Sequence, residues 1–162
     1  MQWAEGDLIE ICNRLNADGV VFSANSVVLS NGELCLGAGA ALRVKNAFPK
    51  AALVLGKQIK QDGYNWVQPD YYLVGCMFNI EKPFYVFALQ VKRDFRHKGD
   101  LELTNQSLAE LATWCEENPE IKLVMNCPLI GLGGYANQIE EIKATTELIL
   151  NKTNAVSYTH LT

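Results

Sequence analysis

The sequence predicts an α/β fold, on three observations. Short apolar, β-branched runs alternate with segments of helical periodicity, as strands joined by crossover helices do. Two glycine clusters, Gly37-Ala38-Gly39 and Gly131-Leu132-Gly133-Gly134, each open a helical segment. The chain's 162 residues, 49% apolar and 20% charged, suffice for one core and divide poorly into two. The domain is expected over residues 1–153, with 154–162 a short final strand through Val156 and Tyr158 or an appended, non-native tail.

The elements follow in order. Residues 7–13 read as a short strand or extended piece, and residues 19–25, Gly-Val-Val-Phe-Ser-Ala-Asn, as a strand with Asn25 at its carboxyl end. Ala38, Ala41, Leu42 and Lys45 are spaced for a helix starting near Gly39, and Pro49 ends it before a second helix over residues 51–61. Residues 71–77 and 84–91 read as strands, separated by a turn at Glu81-Lys82-Pro83, and the second delivers Lys92 and Arg93. Leu108, Leu111, Ala112 and Cys115 set an amphipathic helix over residues 104–118, stopped by Pro119. Residues 122–127 form an apolar strand, residues 128–135 the second glycine loop, and Ile139, Ile142 and Ile149 the stripe of a last helix. Strand, glycine loop and helix thus occur twice. Backbone N–H groups left without Cβ cover can face an anion, so two such mouths on one sheet can hold a diphosphate between them.

Composition narrows the function classes. Fourteen basic against eighteen acidic residues, a net charge of −4, oppose a broad nucleic-acid surface. Five scattered cysteines and two lone histidines, His97 and His160, lack the clustering of a metal site and read as reduced core thiols and isolated imidazoles. No metal and no cofactor are expected. Neither a leader nor a spanning apolar run appears, so a cytoplasmic, membrane-free monomer is the expectation. No Gly-Lys-Ser or Gly-Lys-Thr follows the glycines and G-x-G-x-x-G is absent, which sets aside a P-loop and disfavours a dinucleotide fold.

Four pieces in this order carry a family resemblance: Gly6-Asp7-Leu8, Ser23-Ala24-Asn25, Gly37-Ala38-Gly39-Ala40-Ala41, and Pro128-Leu129-Ile130-Gly131-Leu132-Gly133-Gly134-Tyr135. Over residues 6–150 the chain resembles the macrodomains, ADP-ribose-binding modules. Arg43, Lys45, Phe48 and Pro49 after the first glycines are similar to the branch that removes ADP-ribose from acidic side chains or DNA bases. The resemblance implies a single-domain, three-layer α/β/α sandwich with a mixed central sheet. It implies that Asp7 accepts from the adenine amino group, with Leu8 contributing backbone contacts. The residue types alone also suit a turn or cap at Asp7. It places Asn25 by the distal ribose, where a strand-end polar residue is the alternative. Gly37, Ala38, Gly39 and Ala40, with Ile130, Gly131, Leu132, Gly133 and Gly134, are implied to contact the phosphates; small residues in the first loop would equally serve close helix–sheet packing. Tyr135 is implied to pack on the distal ribose, or is a core or rim tyrosine.

In that branch a lysine ending the strand before the amphipathic helix acts on the anomeric carbon, and Lys92, after Phe87-Ala88-Leu89-Gln90-Val91, matches it. Its activation needs burial or a second cation, for which Arg93 is adjacent, and a solvated strand-end lysine is the other reading. The chain departs from the family in three places. No aspartate stands in the second glycine loop, Phe22 replaces a further asparagine, and residues 26–36 make a longer connection than usual. Two function classes stay open. One is a binder of ADP-ribose or a related NAD-derived nucleotide, free or on a protein or nucleic acid, which includes sequestration of a signalling nucleotide. The other is an ADP-ribosyl hydrolase with Lys92 and Asn25 as its catalytic residues.

Overall fold

The computed structural model describes residues 3–37, 39–62, 71–94, 99–126, 139–150 and 156–159. Their order is β1 (Trp3–Glu5), α1 (Leu8–Arg14), β2 (Gly19–Ala24), α2 (Gly39–Ala47), α3 (Ala51–Asp62), β3 (Val74–Asn79), β4 (Phe84–Gln90), α4 (Leu101–Glu117), β5 (Leu123–Asn126), α5 (Ile139–Leu150) and β6 (Val156–Thr159). The strands form one six-stranded sheet in the order β1-β6-β5-β2-β4-β3. All neighbours run parallel except β3 and β4, so the sheet is mixed.

Side-chain alternation divides β2 between two cores. Val20, Phe22 and Ala24 face α1, α2 and α3 with Leu8, Ile11, Val44 and Leu55, whereas Val21 joins Leu103, Leu108, Leu111 and Leu150 of α4 and α5. Helices therefore cover both faces, giving the three-layer sandwich. The parallel strands at its centre are buried on both sides and read as continuous apolar runs, as in Gly19-Val-Val-Phe and Leu123-Val-Met.

Residues 7–13 correct the strand expectation: they belong to α1. Leu8, Ile11 and Cys12 recur at helical spacing and are buried, and the Asp7 carboxylate caps the helix by accepting from Glu10 N–H at 3.1 Å. At α4 the Asp100 cap, accepting from Leu103 N–H, moves the start to Leu101. β3 begins at Val74 rather than at residue 71: the buried Gln90 side-chain oxygen accepts from Tyr72 N–H (2.8 Å) and Leu73 N–H (3.2 Å), taking those amides from the ladder, while Leu73 C=O still accepts from Gln90 N–H at 2.8 Å. Leu73 itself adopts φ 68°. β1 was not anticipated, since three residues carry no usable period.

β3 lies at the edge of the sheet. Gln58 of α3 places its carboxamide there: its oxygen accepts from Cys76 N–H at 3.1 Å and its nitrogen donates to Cys76 C=O. One side chain thereby satisfies the outward-facing groups of the strand's middle residue, which blunts an exposed edge.

Burial holds three thiols protonated. Cys12 is pushed up to about 12 by desolvation, then by the Asp7 charge; desolvation also takes Cys76 to about 12, and Cys115 to about 11 with help from Glu116. A raised folded pKa stabilises the protein fully below the unfolded thiol value of 9.0 and progressively less as pH climbs toward the folded values. Denaturation midpoints are expected to hold near pH 8 and fall between pH 9 and 11, by up to ~1.4 kcal/mol per pH unit for each such thiol. A midpoint flat across that range would contradict the burial of these thiols.

Candidate functional site

Direction of the strands assembles the site. β1, β6, β5, β2 and β4 are parallel neighbours, so their carboxyl ends share one edge of the sheet. Asp7 follows β1, Asn25 follows β2 and Lys92 follows β4. Four inter-strand steps separate β1 from β4, about 19 Å of rim. The chain leaves β2 for α2 and α3 on one face and continues toward β3 and β4; it leaves β5 for α5 on the other face and continues to β6 on the opposite side. β2 and β5 thus flank a topological switch point, where open α/β sheets form a crevice outside the strand ends.

Asn126 and Ser23 tie these two strands at that point. Asn126 Oδ1 accepts from Ser23 N–H at 3.0 Å, and its Nδ2 donates to Ser23 Oγ at 3.0 Å. Ser23 belongs to the Ser23-Ala24-Asn25 piece of the sequence but was given no role there, and Asn126 was not singled out, although an asparagine closing the apolar run Leu123-Val-Met was a visible signal.

The first glycine mouth starts near the carboxyl end of β2, since Asn25 Nδ2 donates to Cys35 C=O at 3.2 Å two residues before Gly37. Gly39 begins α2 at φ 59°, in the left-handed region that favours glycine, and a Cβ there would meet no described residue within 4 Å. At Gly37 an added Cβ would reach, among the described residues, only Cys35 Sγ, at 4.0 Å. Among the described residues, none packs closely where a side chain at either glycine would stand. The first turn of α2, like that of α3, carries no acid, whereas those of α1, α4 and α5 carry Glu10, Glu102, and Glu140 with Glu141. An anion at the start of α2 would meet uncompensated N–H groups. Ala40 is half-buried in the same turn. Ala38 lies outside the described residues, as do Ile130, Gly131, Leu132, Gly133, Gly134 and Tyr135.

Lys92 and Asn25 are brought opposite each other. Val91 N–H donates to Ala24 C=O at 2.9 Å and Ser26 N–H donates to Arg93 C=O at 3.1 Å, leaving one residue on each side between the two bonds. Those residues are Asn25 and Lys92. The ladder departs from parallel register here because Val91 C=O accepts from Asp100 N–H at 2.7 Å instead. Lys92 is half-buried. The Arg93 guanidinium sits 5.7 Å from the centre of the Tyr71 ring, whose hydroxyl donates to Asp100 at 3.2 Å.

No protein-family model and no curated protein matches the chain. Solved structures do. The DarG macrodomain of Thermus aquaticus superposes with a TM-score of 0.77 at 21% identity, over 99% of this chain and 97% of that one. The DarG macrodomain of Mycobacterium tuberculosis gives 0.72 at 18%, over 97% and 95%. Thermosipho africanus DarTG in complex with ADP-ribose gives 0.72 at 15%, over all of this chain and 42% of that one. The chain has the macrodomain fold.

Within this macrodomain fold, the predicted residues have definite settings. Both Asp7 oxygens are engaged, one by Glu10 N–H and the other by the Arg43 guanidinium. Arg43 thus joins α2 to α1 beside the glycine mouth. Leu8 is fully buried, so only its backbone is on offer. Phe22 is fully buried in the core against α1–α3, the setting of the residue that replaces the further asparagine.

Asn25 is 7% exposed, and its carboxamide organises its own connection. Oδ1 accepts from Val27 N–H at 2.9 Å and Nδ2 donates to Cys35 C=O at 3.2 Å, while the backbone carbonyl accepts from the buried Tyr72 hydroxyl at 2.7 Å. Asn25→Ala is expected to lower unfolding free energy by ~1–3 kcal/mol, because two partly buried backbone groups lose their partner. Urea denaturation checks this; an unchanged midpoint would leave Asn25 with no part in holding the connection.

Two surface hollows are lined by described residues away from the strand-end crevice. One of about 740 Å³ is lined by Tyr71, Leu73, Glu102, Gln106 and Glu110 beside α4, and one of about 730 Å³ by Phe48, Val54, Met77, Phe78 and Ile80 beside β3. We take the strand-end crevice as the site, because the bare helix start and the lysine opposite Asn25 belong to it. Among the described residues, no three His, Cys, Asp or Glu side chains are grouped to hold a metal, and no helix is long and apolar enough to cross a membrane.

Proposed function

We propose that this protein binds ADP-ribose, free or attached to a target, with the diphosphate at the start of α2 in the crevice between β2 and β5. The observation that carries the reading is Gly39: a left-handed glycine opening a helix, with no atom of the described residues within 4 Å of where its side chain would begin. The second glycine segment leaves the adjacent parallel strand, β5, and α5 follows it. A diphosphate between two such mouths gains charge-assisted hydrogen bonds without any arginine or lysine. The ADP-ribose named in the Thermosipho africanus complex supports the same ligand class here.

Calorimetry tests it. ADP-ribose is expected to bind at least ~100-fold more tightly than AMP, a difference of about 2.7 kcal/mol, since AMP reaches neither the second phosphate nor the distal ribose. Equal affinities would overturn the reading.

A second reading, hydrolysis of the link between ADP-ribose and a protein carboxylate or DNA base, is favoured by Lys92 standing opposite Asn25 at the same rim. The neutral Lys92 amine would attack the anomeric carbon as the glycosidic bond breaks and the carboxylate or base leaves with its electron pair, and water would then displace the amine to release ADP-ribose; alternatively the lysine would polarise that centre for direct attack by water.

A further inference from the structure

We propose that Gly56, in the middle of α3, is a positioning residue for the candidate site, acting through the connection of residues 26–36; the proposal rests on the reading of that site as an ADP-ribose pocket. This connection is a hairpin. Leu29 N–H donates to Glu33 C=O and Cys35 N–H to Val27 C=O, each at 2.8 Å, and Val28 bridges Leu34 antiparallel. Gly32 N–H closes the turn onto Leu29 C=O at 2.9 Å, with Gly32 at φ 90°. The base of the hairpin is fastened at the rim, by Asn25 to Val27 N–H and Cys35 C=O, and by Ser26 to Arg93 C=O. Two residues beyond Cys35 stands Gly37 of the glycine mouth.

The far end rests on α3. Leu34 N–H donates to Ala52 C=O at 2.8 Å, and the Gly32–Leu34 backbone lies where a side chain at position 56 would be. A Cβ on Gly56 would fall 2.0 Å from Gly32 O, 2.8 Å from Leu34 N and 3.0 Å from Glu33 C. All three are backbone atoms, which cannot rotate aside as a side-chain tip would. Restoring ordinary contact at 3.4 Å requires the arm to lift by 3.4 − 2.0, about 1.4 Å. Buried Leu34 and Leu36 move with it, and Leu36 is the residue before Gly37. The hairpin is therefore a strap pinned at both ends, and the bare surface at Gly56 sets where its mouth end lies.

Two measurements test this in the whole protein. In Gly56→Ala, ADP-ribose affinity is expected to fall at least tenfold. In the wild type, saturating ADP-ribose is expected to slow amide exchange at Leu34 and Cys35 relative to amides of α4, because a ligand held by the ordered strap must in turn favour that order. A hairpin that only adds stability would show no selective slowing. Wild-type affinity in Gly56→Ala, or hairpin exchange indifferent to ADP-ribose, would overturn the proposal. Failure of the wild type to bind ADP-ribose would overturn the underlying reading of the pocket instead.

Discussion

Replacing Gly39 with valine is expected to lower ADP-ribose affinity by about a hundredfold, close to 2.7 kcal/mol. Two effects combine. Valine at φ 59° is strained, by ~1–2 kcal/mol for a left-handed L-residue, and its side chain would project into the space assigned to the diphosphate. Gly39→Asn separates them, since asparagine tolerates the left-handed region while filling the same volume. The fold is expected to remain, with a thermal midpoint near wild type in Gly39→Asn, and affinity to fall as it does for valine. No described residue lies within 4 Å of a Cβ here, so a loss of binding without a loss of stability points to the ligand rather than to packing against those residues. Full affinity in both variants, measured by calorimetry, would move the phosphates away from α2.

Lys92→Ala is the second variant with a large expected effect. If Lys92 acts on the anomeric carbon, removing its amine takes away chemistry and leaves most binding contacts. Release of ADP-ribose from modified DNA or modified glutamate is expected to fall by two orders of magnitude or more, about 2.7 kcal/mol in the barrier, with ADP-ribose affinity changed only a few-fold. The backbone irregularity that isolates Lys92 opposite Asn25 depends on the Val91–Asp100 and Ser26–Arg93 bonds, none of which uses the lysine side chain. The substitution is thus expected to leave the rim standing. Release by wild type that Lys92→Ala matches would remove Lys92 from the mechanism, and no release by wild type would leave the protein a binder.

Much of this molecule was legible in its residues. Helices α2–α5 and strands β2, β4 and β5 followed from apolar period, with Pro49, Pro83 and Pro119 as punctuation. Order along the chain also placed the two glycine segments after strands. What misled was local brevity. Residues 7–13 are too few to separate a helix period from a strand period, and the Asp7 cap that decides the matter is read with confidence only once Glu10 N–H is seen on it. Leu73 at φ 68° and the Gln90 side chain that occupies the Tyr72 and Leu73 amides are tertiary effects, invisible to propensity.

The site was legible in part and for a physical reason. Glycine in sequence does not say whether Cβ is missing for packing or for a ligand. Gly39 and Gly56 show the two cases: one has no described residue within 4 Å of its absent Cβ, the other has a backbone oxygen 2.0 Å from it. Gly56 carried no signal in the sequence, because the segment that rests on it lies more than twenty positions away. Asn25 was legible as a strand-end polar residue, yet its carboxamide bonds to Val27 and Cys35 depend on how the chain returns after residue 31. The pairing of Asn126 with Ser23 was not legible, since it joins positions 103 apart.

A crystal structure with ADP-ribose bound is the most direct test of the central claim. The account predicts diphosphate oxygens within hydrogen-bonding distance of backbone N–H groups at the start of α2, between the carboxyl ends of β2 and β5. Diphosphate density in the hollow beside α4, or along the β3 edge, with the Gly37–Gly39 mouth untouched, would contradict it.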